Sequence, residues 1–518
     1  MQNGNPALAP RVEFTMLPPA IPPILYAPGR SNVNSLLSVR VAESGLDGEW
    51  LKQLGRTANV SACSARCVAW TPPPPPPSST ATSATPPLRC RSFTHFAANY
   101  SHRGNASLAG ACLGHVDPVW VPLRDASWSV SSGYVHWPCV TDDDCSLNGR
   151  CAAAGTAAGT AAGTCACAAG WTGTRCETLD VLPVTHPALG FNPMKNGKNM
   201  SSWGGSVHFL HGAWHMWAVQ MTQHCGISTY LVNSAVVHAV SATGSVGGPY
   251  TESEGVLPPF AHEPDLCVAP TGELVLISVA STPLGDLNGH PSCVCVDGTT
   301  ASAAPGTCDA CNNSCHVSSP TLTVSASGNP EGPWTSTPIW LDGGENPSIW
   351  IMKNGSVLGM CRGGKPCAHA ADWRNISSWV RAAPGPTSLS SSPDVEDPFI
   401  YQDENDHWHA LIHSLEGAHM VGSVDDAQVG VHAFSRDGLM WTYTGTAYTN
   451  MVELADDGEG VLRLNRRERP HLVFKGDGSR TPVAVTNSAE LGGAWGDRSF
   501  TLVQELRAGD KQEAAART

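Results

Sequence analysis

The chain has 518 residues, long for one domain, and its 52 glycines and 41 prolines with only 14% charged residues favour short strands and turns over long helices. Thirty basic against 44 acidic residues give a net charge of −14 without a basic stripe, which argues against a nucleic-acid partner, since phosphate binding needs clustered Lys and Arg. No run of about 18 apolar residues occurs, so no membrane-spanning helix is expected.

Residues 1–50 carry no clear element. The opening MQNGNPALAP lacks a cationic start and the apolar MLPPAIPPILYA is broken by four prolines, which makes a poor secretion signal and suggests an incomplete N-terminus. Everything after it reads as extracellular. Nineteen cysteines at short spacings suit a disulfide framework in an oxidising compartment. Asn59, Asn99, Asn105, Asn199, Asn312, Asn354 and Asn375 each open an Asn-X-Ser glycosylation sequon.

Over 51–138, SACSARCVAW places Cys63 and Cys67 one helical turn apart, and Cys90 and Cys112 follow. A proline- and hydroxyl-rich stretch, 71–87, interrupts this region and should be extended. The arrangement resembles a PAN/apple module. That resemblance implies the pairs Cys67–Cys90 and Cys63–Cys112 and a role in binding proteins or glycans; a stapled spacer is the plainer alternative.

Residues 139–180 hold Cys139, Cys145, Cys151, Cys165, Cys167 and Cys176, with GWTG before the last. Six cysteines allow 15 pairings. The spacing and the Gly-aromatic-Gly tail resemble an EGF-like module, which implies Cys139–Cys151, Cys145–Cys165 and Cys167–Cys176. The third loop carries the low-complexity AAAGTAAGTAAGT. Calcium-binding variants bear acids before the first cysteine; here that stretch is SGYVHWP, so no calcium is expected.

From 181 to 505 one pattern recurs. HEPDLCVAPTGELVLI (262–277), ENPSIWIMKNGSVLGM (345–360), VEDPFIYQDENDHWHALIH (395–413) and ERPHLVFKGDGSRTPVAV (468–485) each put an acid or His two places before a proline, then a hairpin. A proline-less copy, WGGSVHFLHGAWHMWAV, lies at 203–219, and a third strand recurs in VHAVSATG, LTVSASGN and VHAFSRDG. With anchors at Ser206, Pro264, Pro347, Pro398 and Pro470, the repeat predicts a mostly-β, multidomain chain ending in a five-bladed β-propeller. The tail 506–518 is polar, unlike a lipid-anchor signal.

In a propeller the innermost strands surround one axis, so equivalent positions converge. His262, Glu345, Glu396 and Glu468 share the register two before proline and are expected at one mouth. Carboxylates forced together raise at least one pKa, the condition for an acid and a base at neutral pH. The plainer reading is that they bridge blades and hold the ring.

Residues 190–500 resemble the five-bladed propeller glycoside hydrolases of the arabinanase, β-xylosidase and invertase type. The resemblance implies Glu396 as general acid. The auxiliary Asp that these families place immediately before the proline of blade three is Asn346 here, and the first blade, SSWGGSV, offers no Asp for the base. Glu345, Glu468, Asp397, Glu263 and Asp265 are the carboxylates available instead. Trp203, Trp350 and Trp408 could stack on sugar rings or pack between blades. His262, Asn346, Arg467 and Arg469 are further candidates for substrate contact; Arg466, Arg467 and Arg469 could take a ligand carboxylate or neutralise the acids.

The insert with Cys293, Cys295, Cys308, Cys311 and Cys315 could hold zinc, though disulfides suit the compartment better. Cys361 and Cys367 are expected to close a loop. Nine propeller cysteines, with Cys225 and Cys267 among them, leave one thiol over. No motif calls for a cofactor. Two functions remain open: a secreted hydrolase acting on polysaccharide, or a non-catalytic glycan- or protein-binding adhesion protein.

Overall fold

In the computed structural model the described residues are 51–56, 92–96, 111–115, 124–125 and 130–134, then 139–152, 163–185, 190–192, 200–259, 261–281, 295–296, 299–300, 318–339, 341, 346–380, 395–414, 429–455, 460–491 and 498–508. The chain divides into two units, with 47–137 in the first and 138–518 in the second. The first contains a five-stranded antiparallel sheet in the order Leu51–Arg56, Ala111–His115, Ser92–Phe96, Val130–Tyr134, Arg124–Asp125. Cys63, Cys67 and Cys90, with the helix expected beside them, lie outside the described residues, and so do both pairings implied there.

The second unit is a five-bladed β-propeller. Blade one is Ser202–Leu210, Ala213–Met221, Ser234–Ser241 and Tyr250–Leu257; blade two is Ala261–Val268, Leu274–Ser281, Ser318–Ser325 and Thr335–Pro338. Blade three is Ser348–Ile351, Val357–Cys361 and Lys365–Ala370, extended by a bridge from His369 to Val380. Blade four is Val395–Gln402, Trp408–Ser414, Val429–Ser435 and Trp441–Tyr448, and blade five is Arg466–Phe474, Pro482–Glu490 and Ser499–Glu505. The first strand of each blade adjoins the first strand of the next, and the fifth returns to the first. The chain closes the ring by bringing Phe191 onto Thr501 and Val181 onto Leu506 at the outer edge of blade five.

Burial follows from this ring. Inner and second strands face a blade on both sides, so Ser348–Ile351 and Trp408–Ser414 are buried throughout, while the outer strand Tyr250–Leu257 is mostly exposed or half-buried. Between blades one and two, Trp217, Leu257, Leu266, Leu274 and Leu276 form one cluster; Met216, Tyr250, Phe191, Val473 and Val503 join blade one to blade five in another. Each such side chain stabilises by about 1.5–3 kcal/mol on burial. A repeated polar contact sets the stagger: Ser206 Oγ accepts from Leu266 N (3.0 Å), Asp265 Oδ2 from Ile349 N (3.2 Å), and Ser348 Oγ from Ile400 N (3.1 Å).

Cys139–Cys151, Cys145–Cys165 and Cys167–Cys176 are bonded, and hairpins Gly149–Ala152/Thr164–Cys167 and Trp171–Thr172/Thr178–Leu179 complete that module. It sits on the edge of blade four. Trp171 packs on the His432 ring (4.8 Å), Asn148 Nδ2 meets His432 Nε2 (3.1 Å), Thr178 Oγ1 donates to Thr446 O (2.9 Å) and Arg436 pairs with Asp143 (2.7 Å). Asp142 and Asp144 cap this module's own backbone, accepting from Cys151 N and Val140 N. Cys361–Cys367 is bonded. Cys225 is disulfide-bonded too, and Cys267 is the free cysteine among the described residues. Cys293, Cys308, Cys311 and Cys315 lie outside them. No helix of the described residues is long and apolar enough to cross a membrane.

Replacing Ser348 by Ala would leave the buried Ile400 N–H unpaired and remove a donor to Asp265. A loss of about 1–3 kcal/mol is expected, read as a lowered thermal midpoint, against no measurable change for exposed Ser253→Ala.

Candidate functional site: the axial mouth

Four of the five inner strands begin with the same kind of local distortion. Pairing skips between His262 and Asp265, between Glu396 and Phe399, and between Glu468 and His471, so two residues oppose one on the neighbouring strand. In blade one the skip lies between Trp203 and Gly205. These are β-bulges. Proline fits the second bulged position because no ladder N–H is needed there. The first is left-handed in all five blades: Gly204 (φ 64°), Glu263 (59°), Asn346 (53°), Asp397 (53°) and Arg469 (50°).

The consequence is a correction by one residue. The residues immediately before each proline line the mouth, around a cavity of about 20 Å³, with Asp265 and His471 deeper. His262, two before its proline, is buried elsewhere: its Nδ1 meets Ser234 Oγ (2.7 Å) and Tyr230 packs on it at 4.9 Å. Burial first, then Arg469 and Arg466, hold its pKa well below the usual value, so it is neutral. Glu345 lies outside the described residues. The proline position of blade one belongs to Gly205, since Ser206 makes the contact that Ser348 makes two blades on.

Arg469 joins the acids. Its guanidinium meets Glu263 Oε1 (2.5 Å) and Asp397 Oδ1 (3.4 Å), and Asn346 Nδ2 also donates to Asp397 Oδ1. The Arg469 side chain fills the space of a blade-one side chain, because a Cβ on Gly204 would stand 3.1 Å from Arg469 Cδ. Glu396 meets His413 Nδ1 and Arg362, both at 3.4 Å, and Glu468 is held by Arg466 at 2.8 and 3.2 Å. His471 Nε2 lies 3.4 Å from Asp265 Oδ1. Arg466 neutralises Glu468, as its place beside that acid suggested. Arg362 and His413 were not legible as site residues: both belong to second-strand segments brought inward by the fold.

Burial makes these charges matter. Side-chain exposure is 15% for Glu396, 10% for Glu263, 6% for Glu468 and 2% for Asp397. Desolvation pushes the Glu263 carboxyl up to about 7; Arg469 opposes this, while Asp397 and Glu396 add to it. Its Oε2 and Asp397 Oδ2 are buried without a hydrogen-bond partner. For His413, burial works to lower the pKa, but Glu396, Glu468 and Asp397 outweigh it and favour the imidazolium. One oxygen each of Glu396, Asp397 and Glu468 and a ring nitrogen of His413 lie within 4.8 Å of one another. That oxygen-rich set matches a hard divalent cation, although Arg362, Arg466 and Arg469 already meet its charge.

Four expected ligand contacts are placed elsewhere. Trp203 is 1% exposed, packed with Val219, Met221 and Ile227 under the Arg466 guanidinium (4.8 Å), and offers no face to a sugar. Trp350 lines the other end of the axial channel. Arg467 is 1% exposed, and its nitrogens donate to Asn487 Oδ1, Thr449 O and Gln504 Oε1 at 2.8–2.9 Å, so it holds blade five together. Trp408 is buried, and in SRDGLMW Asp437 accepts from Leu439 N and Met440 N, a turn function.

No family model matches the chain, and no curated protein does. Solved structures similar to it include a mutant of the GH43 protein BlXynB from Bacillus licheniformis (12% identity, 64% of this chain and 55% of that one, TM-score 0.38). Others are a xylan β-1,4-xylosidase from Bacillus halodurans C-125 (13%, 63% and 56%, 0.39) and the catalytic domain of a Coprinopsis cinerea GH62 α-L-arabinofuranosidase (10%, 65% and 97%, 0.39). The chain spans little more than half the length of the two Bacillus proteins.

Arg467→Met should cost about 3 kcal/mol or more, because two buried acceptors and the half-buried Thr449 O lose their donor. Chemical denaturation of the full chain checks this.

Proposed function

We propose that the protein is an extracellular glycoside-hydrolase-like propeller that takes polysaccharide at the axial mouth, with Glu396 as proton donor and Glu263 as base. The observation that carries this reading is the carboxyl of Glu263, poised at about 7 with a bare Oε2. A general base works best when its pKa lies near the working pH. Glu396 is the most open of the four clustered acids and stands on blade four, with Glu263 on blade two. Asp397 and Glu263 also stand immediately before their prolines, the register that the resemblance gives to the auxiliary Asp of blade three. In this reading Glu396 protonates the leaving oxygen, Glu263 withdraws a proton from the attacking water, and Arg469 orients Glu263 and Asp397.

Disulfides on both sides of residue 180 and the exposure of Asn354 and Asn375 support secretion. The one-to-three, two-to-four, five-to-six pairing of Cys139 to Cys176 supports an EGF-like module, and the upstream cysteines a PAN/apple module that tethers the propeller to proteins or glycans. A second reading, glycan binding without cleavage, is favoured by Gly204 and by the Arg469 side chain over it. It rules if the intact secreted chain binds a polysaccharide panel but releases no reducing ends.

If the chain hydrolyses, Glu396→Gln should lower cleavage of sugars with poor leaving groups by about 10²–10⁴-fold and that of activated aryl glycosides far less. Equal activity on both would remove Glu396 from the role.

The base role fixes a sign. Glu263 must be ionised, so kcat/KM should rise as pH climbs through about 7, and Glu263→Gln should abolish that limb. Arg469 lowers the Glu263 pKa, so Arg469→Gln should move the limb to higher pH in a pH–rate profile.

A further inference from the structure

The axial channel has a second chamber. Past the acidic mouth, the same five inner strands enclose a cavity of about 360 Å³, within the roughly 300–1,000 Å³ of small-molecule pockets. Every blade contributes: Ser206 to Leu210, Leu266 to Pro270, Trp350 and Ile351, Phe399, and the blade-five hairpin up to Arg480. These positions follow the mouth residues along each strand, so the chamber opens at the opposite end, with His471 shared between the two.

We propose that this chamber is a binding site for a single six-membered ring bearing a carboxylate. No Asp or Glu lines it, in a chain of net charge −14 whose other mouth is crowded with acids, yet Lys475 and Arg480 do. Lys475 is engaged at the surface by Asp477 (3.0 Å). The Arg480 guanidinium lies over the Trp350 ring, 4.7 Å from its centroid, and among the described residues no acceptor takes its side-chain donors; its backbone N–H is bonded to Glu404, whose charge also acts on the guanidinium. A stacked guanidinium with an open fork of donors matches a carboxylate. Behind it, Trp350, Phe399 and Phe474 meet edge-on or tilted with centroids 6.4–6.5 Å apart, supplying aromatic surface for a ring. Phe209 and Val268, also in the lining, remain 38% and 39% exposed. A ring acid can come from a uronic sugar or from a planar hydroxycinnamate, and both present the same chemistry.

The test titrates the full chain with glucuronate, galacturonate and 4-hydroxycinnamate, with glucose and benzyl alcohol as neutral controls, following tryptophan fluorescence and calorimetry. At least one acid should bind with one-to-one stoichiometry and the controls should not. Arg480→Gln, at an exposed position, should weaken binding at least about tenfold, and Val268→Trp at the rim should weaken it as well. Selective binding of a uronate or of the cinnamate assigns the source, and either supports the site. Absence of binding by all three acids up to about 10 mM overturns the proposal. So does binding that survives Arg480→Gln but is lost in Arg469→Gln, which would place the acid at the other mouth.

Discussion

The left-handed residue at the start of each inner strand is the constraint on which the site depends. A bulge there turns one side chain per blade toward the axis, and the ring reads Gly204, Glu263, Asn346, Asp397, Arg469 in chain order. For Glu and Arg this backbone conformation is uncommon, costing on the order of 1–2 kcal/mol each, so the surrounding structure must enforce it. Here the enforcement is visible: proline follows in four blades, the ladder resumes one residue later, and Asp265 and Ser348 fix the stagger by accepting from the next blade.

Once five side chains are aimed at one point, their charges have to be reconciled. Glu263, Asp397, Glu396 and Glu468 are all at least five-sixths buried, and carboxylates in that setting persist only with partners. Arg469 serves two of them, and it reaches both because Gly204 leaves the blade-one position open. The side-chain-free first-blade position and the fifth-blade arginine are therefore one arrangement: Gly204 leaves the space through which Arg469 reaches the acids of blades two and four.

Much of this was legible in the sequence. The spaced hairpins carried the blade number, because five copies of one hairpin, four led by acid-x-Pro or His-x-Pro, suit the five blades of a propeller. Placement of the lining was off by one residue because the alternation of strands was extended through the proline, where the bulge breaks it. Gly-Gly in WGGS held the signal, since adjacent glycines at a strand start mark a left-handed bulge position. Trp203 and Arg467 look like ligand contacts by type, yet the fold uses both as interior: a tryptophan between strands, and an arginine whose planar fork satisfies three oxygens. Sequence position alone does not separate such an arginine from Arg469, two residues on, because along a strand both point to the same face until the bulge intervenes.

The polarity of the channel follows from the direction of its strands. All five enter at the bulged end, where side chains before proline converge, and leave through hairpin turns, where chain length and turn composition differ from blade to blade. Convergence at the entry buries the carboxylates together; burial above all pushes the Glu263 carboxyl up, and the neighbouring Asp397 and Glu396 add to it. Divergence at the exit opens space, so the far chamber is larger, free of acidic side chains and edged by Arg480 over Trp350. Between them stands the Asp265–His471 contact, at 3.4 Å, where a carboxylate already committed to Ile349 N and Ser348 Oγ meets a half-engaged imidazole. Two chemically opposite ends on one axis are thus the product of a single geometric fact: parallel strands share a start more closely than they share an end.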